Sequence, residues 1–355
     1  MRRGGGGIGG RVPALRVACC AAVVASILLT AAAVDVAPSS IVEQHERLRR
    51  RVDELERAVW SRTEAASSHS YPETWSSQAV ARIQTRVGEY APPLDTTLEG
   101  SRRRRHSQLM YSQSGEDAAL DYMFRGARNG TFLEMGALDG RHASNSHFFE
   151  RELGWVGVLI EPSPSPFSKL KRNRPGNVLI NAAVCGPESA NRTRALLAGE
   201  YGAFARKAGC GIGAVHFVEG SRPAVRGIME FMEPAFLHKW HPKSALGQRR
   251  LSCVPCRGLS ELLAPYGVRY VDFFSLDVEG AEHEVLKTVD FDEFRPRVLF
   301  LEAPLKDAER ERLLVTLLKV NDYHYMGKKA RSLWFVDADR EGWQELKNRW
   351  ADAFS

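Results

Sequence analysis

The chain sets Asp277, Glu279, Glu282 and Glu284 within eight residues, directly behind the apolar run Tyr270 to Leu276. Carboxylates massed where a buried strand ends can orient a hydroxyl, take its proton or hold a divalent cation. Two other apolar runs are marked in the same way. Thr131 to Met135 passes through Glu134 into Gly136-Ala137-Leu138-Asp139-Gly140, and Trp155 to Ile160 stops at Glu161-Pro162. The glycines let the backbone turn tightly against a ligand, while Glu134 and Asp139 disfavour a pyrophosphate and suit a ligand with hydroxyls and a positive charge. Glu161 follows Gly136 by 25 residues, a spacing at which an acid takes both hydroxyls of a ribose.

These acids need elements to position them. Thr131 to Met135, Trp155 to Ile160, Val178 to Ala182, Tyr270 to Leu276 and Val298 to Leu301 are short and mostly apolar, as strands buried on both faces are. Ser163 to Arg172, Leu259 to Ala264, Ala281 to Val289 and Ala308 to Val320 read as helices between and after them. The alternation predicts an α/β domain with a mostly parallel sheet, whose ligand lies beyond the carboxyl ends of the strands. Tyr323 to Met326 and Leu333 to Asp337 suit a terminal antiparallel hairpin. Residues 186–250 carry no sustained period and are expected to form an insertion that shapes acceptor choice.

An acid-rich loop followed by a ribose acid favours S-adenosylmethionine over NAD, since its sulfonium is a cation and it has no phosphate. At these residues the chain resembles the FkbM family of methyltransferases. The resemblance runs from Tyr111 to about Asp337, through Ser112-Gln-Ser-Gly-Glu-Asp117, Phe132-Leu-Glu-Met-Gly-Ala-Leu-Asp-Gly140, Ser144-Asn145, Gly154-Trp-Val-Gly-Val-Leu-Ile-Glu-Pro162 and Ser275-Leu-Asp-Val-Glu-Gly-Ala-Glu282. It implies a Rossmann-like class I methyltransferase fold with a mostly parallel seven-stranded sheet, and S-adenosyl-L-methionine-dependent methylation of sugar or polyketide hydroxyls. On that footing Glu134, Gly136, Ala137, Asp139, Gly140, Asn145, Glu161 and Asp277 are the cofactor-binding candidates. Asp277 and Glu279 are the catalytic candidates, with a divalent metal between them an open option. Glu284 falls in the first turn of the helix expected after them, where an acid favours the helix dipole. Glu282 stays open between cleft and helix, and His283 is a base only if it faces the cleft.

The overall composition is that of a globular protein, and the formal charge is +6. The excess is N-terminal: residues 1–107 carry 16 Lys plus Arg against 11 acids and the remainder 33 against 32, so the large domain has no nucleic-acid footprint. Val17 to Val34 is 18 residues without a charge, preceded by Arg2, Arg3, Arg11 and Arg16. This pattern predicts a cytosolic basic tail over 1–16 and a type II signal anchor over 17–34, delivering the rest to the lumen of the endoplasmic reticulum and Golgi; a cleaved signal or transit peptide is the alternative. Residues 35–107 read as a stem and linker, with a short coiled coil over 41–62 that can pair two chains and an arginine run, Arg102 to Arg105, open to processing. The methyltransferase-like domain is expected over 108–340, with a helix or tail over 341–355. Asn129 and Asn191 head Asn-x-Thr glycosylation triplets, and Cys185, Cys210, Cys253 and Cys256 permit two disulfides in three connectivities. A zinc site from His238, His241, Cys253 and Cys256 competes with them. The expected acceptor is a glycan or another hydroxyl-bearing molecule. The membrane-anchored layout is also similar to Star-like relatives, in which such a domain is tied to trafficking, and so an inactive adaptor is the alternative function.

Overall fold

In the computed structural model residues 70–355 form one compact unit. The structure describes 74–75, 77–84 and 110–354, apart from 187, 212, 220–225, 233, 247–250 and 303–306. The basic tail, the apolar span 17–34, the heptads over 41–62 and Arg102 to Arg105 lie outside the described residues. Among the described residues no helix is long and apolar enough to cross a membrane.

The first six strands are β1 (Thr74–Trp75), β2 (Thr131–Met135), β3 (Val156–Ile160), β4 (Val178–Ile180), β5 (Ala183–Val184) and β6 (Ala214–Val218). They are followed by β7 (Gly227–Ile228), β8 (Leu251–Arg257), β9 (Tyr270–Leu276), β10 (Arg295–Glu302), β11 (Tyr323–Lys329) and β12 (Ser332–Asp337). The main sheet runs β1-β4-β3-β2-β9-β10-β12-β11. From β4 to β10 its neighbours are parallel, and β12 and β11 close it as an antiparallel hairpin. This is the expected Rossmann-like sheet with one strand more than seven.

Strand period divides the core in two. Leu133, Met135, Val158, Ile160, Phe274 and Leu276 point to one face, under helices Ser77–Gln84, Leu259–Leu263, Glu282–Leu286 and Ala308–Lys319. Phe132, Leu159, Phe273, Phe300 and Trp334 point to the other, under helices Glu116–Phe124, His147–Leu153, Pro164–Asn173 and Trp343–Ala353. The chain leaves β2 toward β3 on one side, while β9 pairs with β2 on the other. The sheet therefore has its switch point between β2 and β9, at the strand ends that carry Gly136 and Asp277.

Three expectations need correction, and one open alternative is resolved. The stretch read as linker contributes β1, antiparallel to β4, and helix Ser77–Gln84, whose Ala79 and Ile83 are buried in the core. A helix of only eight residues is too short to persist by itself in water, and tertiary burial stabilises it. Of the two alternatives for the C-terminal stretch the structure has the helix, Trp343–Ala353, and its Leu346 and Trp350 join the second face of the core. The helix expected over 281–289 spans only Glu282–Leu286, since the Thr288 hydroxyl donates to the Val285 carbonyl (2.7 Å) and accepts from the Leu259 N–H (2.9 Å). The zinc reading falls, because Cys253 is bonded to Cys210 and Cys256 to Cys185, while His238 pairs with Glu200 (3.2 Å).

The insertion is a second sheet, β5-β8-β6-β7, around Val215, Phe217 and Val254. Buried His216 is held there by the Glu230 carboxylate (2.7 Å). Asn129 is exposed in the turn before β2, at the amino ends of the strands, and Asn191 is exposed on helix Ser189–Ala198.

If the segment before residue 85 is part of the core, Ile83→Ala should cost about 2–4 kcal/mol and lower the thermal midpoint by roughly 5–10 °C. Circular dichroism melting of the purified chain checks this; an unchanged midpoint would mean that the helix only rests on the surface.

Candidate active site

A cleft of about 1020 Å³ opens at the carboxyl ends of β2, β3 and β9 and is walled on its far side by β6, β7 and the turn that follows them. Beside it lies a smaller pit of about 340 Å³, lined by Gln113, Asn145, Asp277, Glu302 and Arg331 among others. Asp277 and Gln113 border both.

The loop after β2 sets the floor. Gly136 has φ +78°, and a Cβ there would stand 1.9 Å from the Asp277 carbonyl oxygen, so only glycine lets the ends of β2 and β9 approach this closely. Gly140, at φ +77°, leaves room for the buried Arg174, whose Cγ a Cβ would meet at 2.5 Å. Arg174 in turn donates to the Gly140 carbonyl (2.8 Å) and the Ser146 hydroxyl (2.9 Å) and pairs with Glu150. Glu134, one of the cofactor candidates, is turned into this network. Its carboxylate receives the Ser144 hydroxyl (2.9 Å), the Asn145 N–H (2.8 Å) and the Ser146 hydroxyl. It shapes the loop from below and does not border the cleft, and Ala137 is likewise packed into the core. Asp139 borders a neighbouring groove with Leu138, His142 and Lys169. Burial would raise its carboxyl, but the N–H groups of His142 (2.9 Å) and Arg141 (3.0 Å) outweigh that and hold it below the usual range.

Glu161 is where the spacing placed it, buried at the end of β3 and bordering the cleft. One oxygen accepts the Leu138 N–H (2.8 Å) and the other the Ser163 N–H (2.7 Å), which fixes its plane and leaves a lone pair on each oxygen. Burial pushes it up to about 7, against those two bonds, with Glu219 adding to the rise. Around it Ile160, Pro162, Ala182, Ala183, Val184 and Phe217 give an apolar slot.

Asp277, Glu279 and Glu302 each bring a carboxylate oxygen to within 4.8 Å of the others. Burial, then Glu302 and Glu279, hold Asp277 well above the carboxylate range. Glu279 stands at the rim with a left-handed backbone, φ +53°, a strained conformation for a residue with a Cβ. Desolvation, then Glu302 and Glu282, push it up to about 7. A group of this kind can pass a proton near neutral pH, and the three oxygens are also a suitable donor set for one divalent cation. Glu302 lies outside the sequence motifs, although it follows Val298 to Leu301 as Asp277 follows its own strand. It accepts from Arg331 (2.8 Å) in the turn of the hairpin.

The other two acids of the opening stretch serve the fold. Glu282 is buried and receives the N–H groups of Gly280 (3.0 Å) and Val278 (3.3 Å), which closes the loop that carries Glu279. Glu284 pairs with Arg192 (2.9 Å) of the insertion and with Lys287 (3.1 Å), a more specific task than the helix dipole. His283 borders neither cavity. The Ser112-to-Asp117 motif acts through Asp117, which gathers the N–H groups of Tyr111 (2.6 Å) and Ser112 (3.0 Å) and so sets Gln113 over the site.

Residues 134–325 match the Methyltransferase FkbM domain. The chain belongs to the FkbM methyltransferase family. Among solved structures, this FkbM-family chain is similar to precorrin-6y C5,15-methyltransferase from Geobacter metallireducens GS-15 at 11% identity, over 64% of this chain and 89% of that one, with a TM-score of 0.31. It is also similar to methyltransferase FkbM from Methylobacillus flagellatus KT at 15% identity, over 58% and 43%, with a TM-score of 0.29. A fibrillarin/Nop5p complex matches at 15% identity, over 63% and 79%, with a TM-score of 0.27. No curated protein matches the chain significantly. A methyltransferase function follows from the family, and its fold implies S-adenosylmethionine as the cofactor.

In the unfolded chain Glu279 ionises near 4.5 and in the fold near 7, so between those values the folded state holds the extra proton and loses stability as pH rises. Glu279→Gln should therefore raise the thermal midpoint at pH 8 and converge on the wild type toward pH 4.5. Melting curves across that range check the sign; a variant less stable at pH 8 would show that the carboxylate is stabilising.

Proposed function

We propose that the chain is an S-adenosylmethionine-dependent O-methyltransferase that acts on a glycan hydroxyl in the secretory lumen, held at the membrane by residues 17–34. The observation that carries this is Glu161, a carboxylate buried in a cleft that Asp277 also borders, with each oxygen fixed by one backbone N–H and free to accept a second hydrogen bond.

The donor set fits the cofactor. Glu161 would take the ribose hydroxyls, Ile160, Pro162 and Val184 the faces of the base, and the close approach at Gly136 the amino-acid arm beside Asp277. When bound, S-adenosylmethionine supplies a methyl group on a sulfonium. The Asp277–Glu279 pair would orient the acceptor hydroxyl and take up its one proton between them, and Glu302 would share the charge. Positioning accounts for much of the rate in a displacement of this type, and proton removal for a further ~10²–10⁴-fold. A divalent cation between Asp277, Glu279 and Glu302 is compatible with the same roles and would replace proton sharing among them.

The lumenal setting is supported by the charge-free span behind four arginines and by two disulfides, which persist in oxidising compartments. A trafficking adaptor on the same fold has no need of a buried ribose acid or of three crowded carboxylates. Their retention supports the enzyme.

Calorimetry with S-adenosylmethionine tests the reading. The chain should bind it, with affinity falling about tenfold per pH unit below ~7 as Glu161 takes up its proton, and Glu161→Ala should weaken binding by about 10–100-fold. Asp277→Asn should lower kcat by about 10²–10⁴-fold on any accepted hydroxyl while altering cofactor affinity far less. A wild-type chain that takes up no cofactor would leave the adaptor reading in place.

A further inference from the structure

Part of the cleft wall comes from outside the main sheet. Phe217 of β6, Ile228 of β7, and Phe231 and Met232 after them line the same cleft as Ile160 and Pro162. Phe217 and Ile228 belong to the four-stranded sheet of the insertion and Phe231 and Met232 to the turn after it, and that sheet joins the rest of the chain at β5, where Ala183 and Val184 border the cleft as well. The ladder at the joint is two residues long, Ala183 opposite Cys256 and Val184 opposite Arg257, extended by one N–H bond from Cys185 to the Arg257 carbonyl (3.0 Å). So short a ladder has to offset the entropy of closing the chain between Cys185 and Cys256, 71 residues apart. The surface pairs that also tie the insertion down, Arg192 with Glu284 and Lys287 with Glu188, add little, because one or both partners are open to water. The buried bond between Cys185 and Cys256 closes the joint covalently.

We propose that Cys185 and Cys256 are positioning residues for the cofactor site: their oxidation completes the cleft wall, and a chain with both thiols free holds the cofactor poorly. This rests on the methyltransferase reading and adds a condition to it. Two protein thiols and a partner disulfide exchange to give the Cys185–Cys256 bond and the partner's two thiols, so the electrons pass to an oxidised dithiol of the compartment. The chain is then silent where glutathione keeps thiols reduced, and gains its site only on reaching an oxidising lumen. Cys210–Cys253 provides an internal control. It ties the loop after helix Gly202–Ala208 to β8 within the insertion and does not span the joint between β5 and β8.

The test compares full-length wild type in detergent with Cys185→Ala/Cys256→Ala and with Cys210→Ala/Cys253→Ala, by calorimetry with S-adenosylmethionine and by hydrogen exchange. The first double variant should bind at least about tenfold more weakly, with faster exchange in β6 and β7 and undiminished protection in β2, β3 and β9, while the second stays within about threefold of wild type. Unchanged affinity with unchanged exchange in β6 and β7 overturns the proposal. Loss of protection in β2, β3 and β9 overturns it too, since the effect would then be global unfolding. If wild type itself takes up no cofactor, the functional reading falls separately, and the contrast in exchange decides whether the bond holds the wall.

Discussion

The site depends on how closely the ends of β2 and β9 lie. At Gly136 the backbone runs against the Asp277 carbonyl with no space for a methyl group between them. That contact brings a loop able to turn under a ligand next to the strand end that carries the acids. Everything else in the cleft is arranged around it: Glu161 arrives one strand further on, Asp277 and Glu302 on the other side. A parallel sheet with a switch point at this position makes such a gap unavoidable, and the glycine narrows it.

Carboxylates in this chain do two kinds of work, and burial alone does not separate them. Glu134, Asp117 and Glu282 are each surrounded by backbone N–H groups or hydroxyls, so their charge is answered inside the protein. Asp277 and Glu279 are faced mainly by other carboxylates and are held above their ordinary range. The first group stiffens three loops around the cleft. The second stays short of partners, which is a cost to the fold and the state in which a proton or a cation is most readily exchanged.

Much of this was legible in the sequence. The parallel strands, the terminal hairpin, Gly136, Glu161 and Asp277 follow from short apolar runs with a glycine or an acid directly behind them. Glu302 obeys the same rule but stands outside the motif that contains Asp277. Glu134 reads as a ligand from the motif alone. Its strand parity places it on the face of Phe132, where it meets the loop whose Ser144 Arg174 pins from 30 residues downstream, and no local pattern announces such a partner. The insertion was opaque for a different reason. Its strands are two to seven residues long and held by cross-links, and so periodicity has nothing to register.

The small strand β1 has a consequence of its own. β4 is the last parallel strand on its side, and without a neighbour its open row of amide and carbonyl groups would be a template for a second chain. Thr74 and Trp75 cover it, antiparallel, for the length of two residues. The segment that links whatever precedes residue 70 to the folded unit thus doubles as a cover for that edge, and a chain begun after residue 84 would keep every residue that lines the cleft while uncovering an adhesive edge.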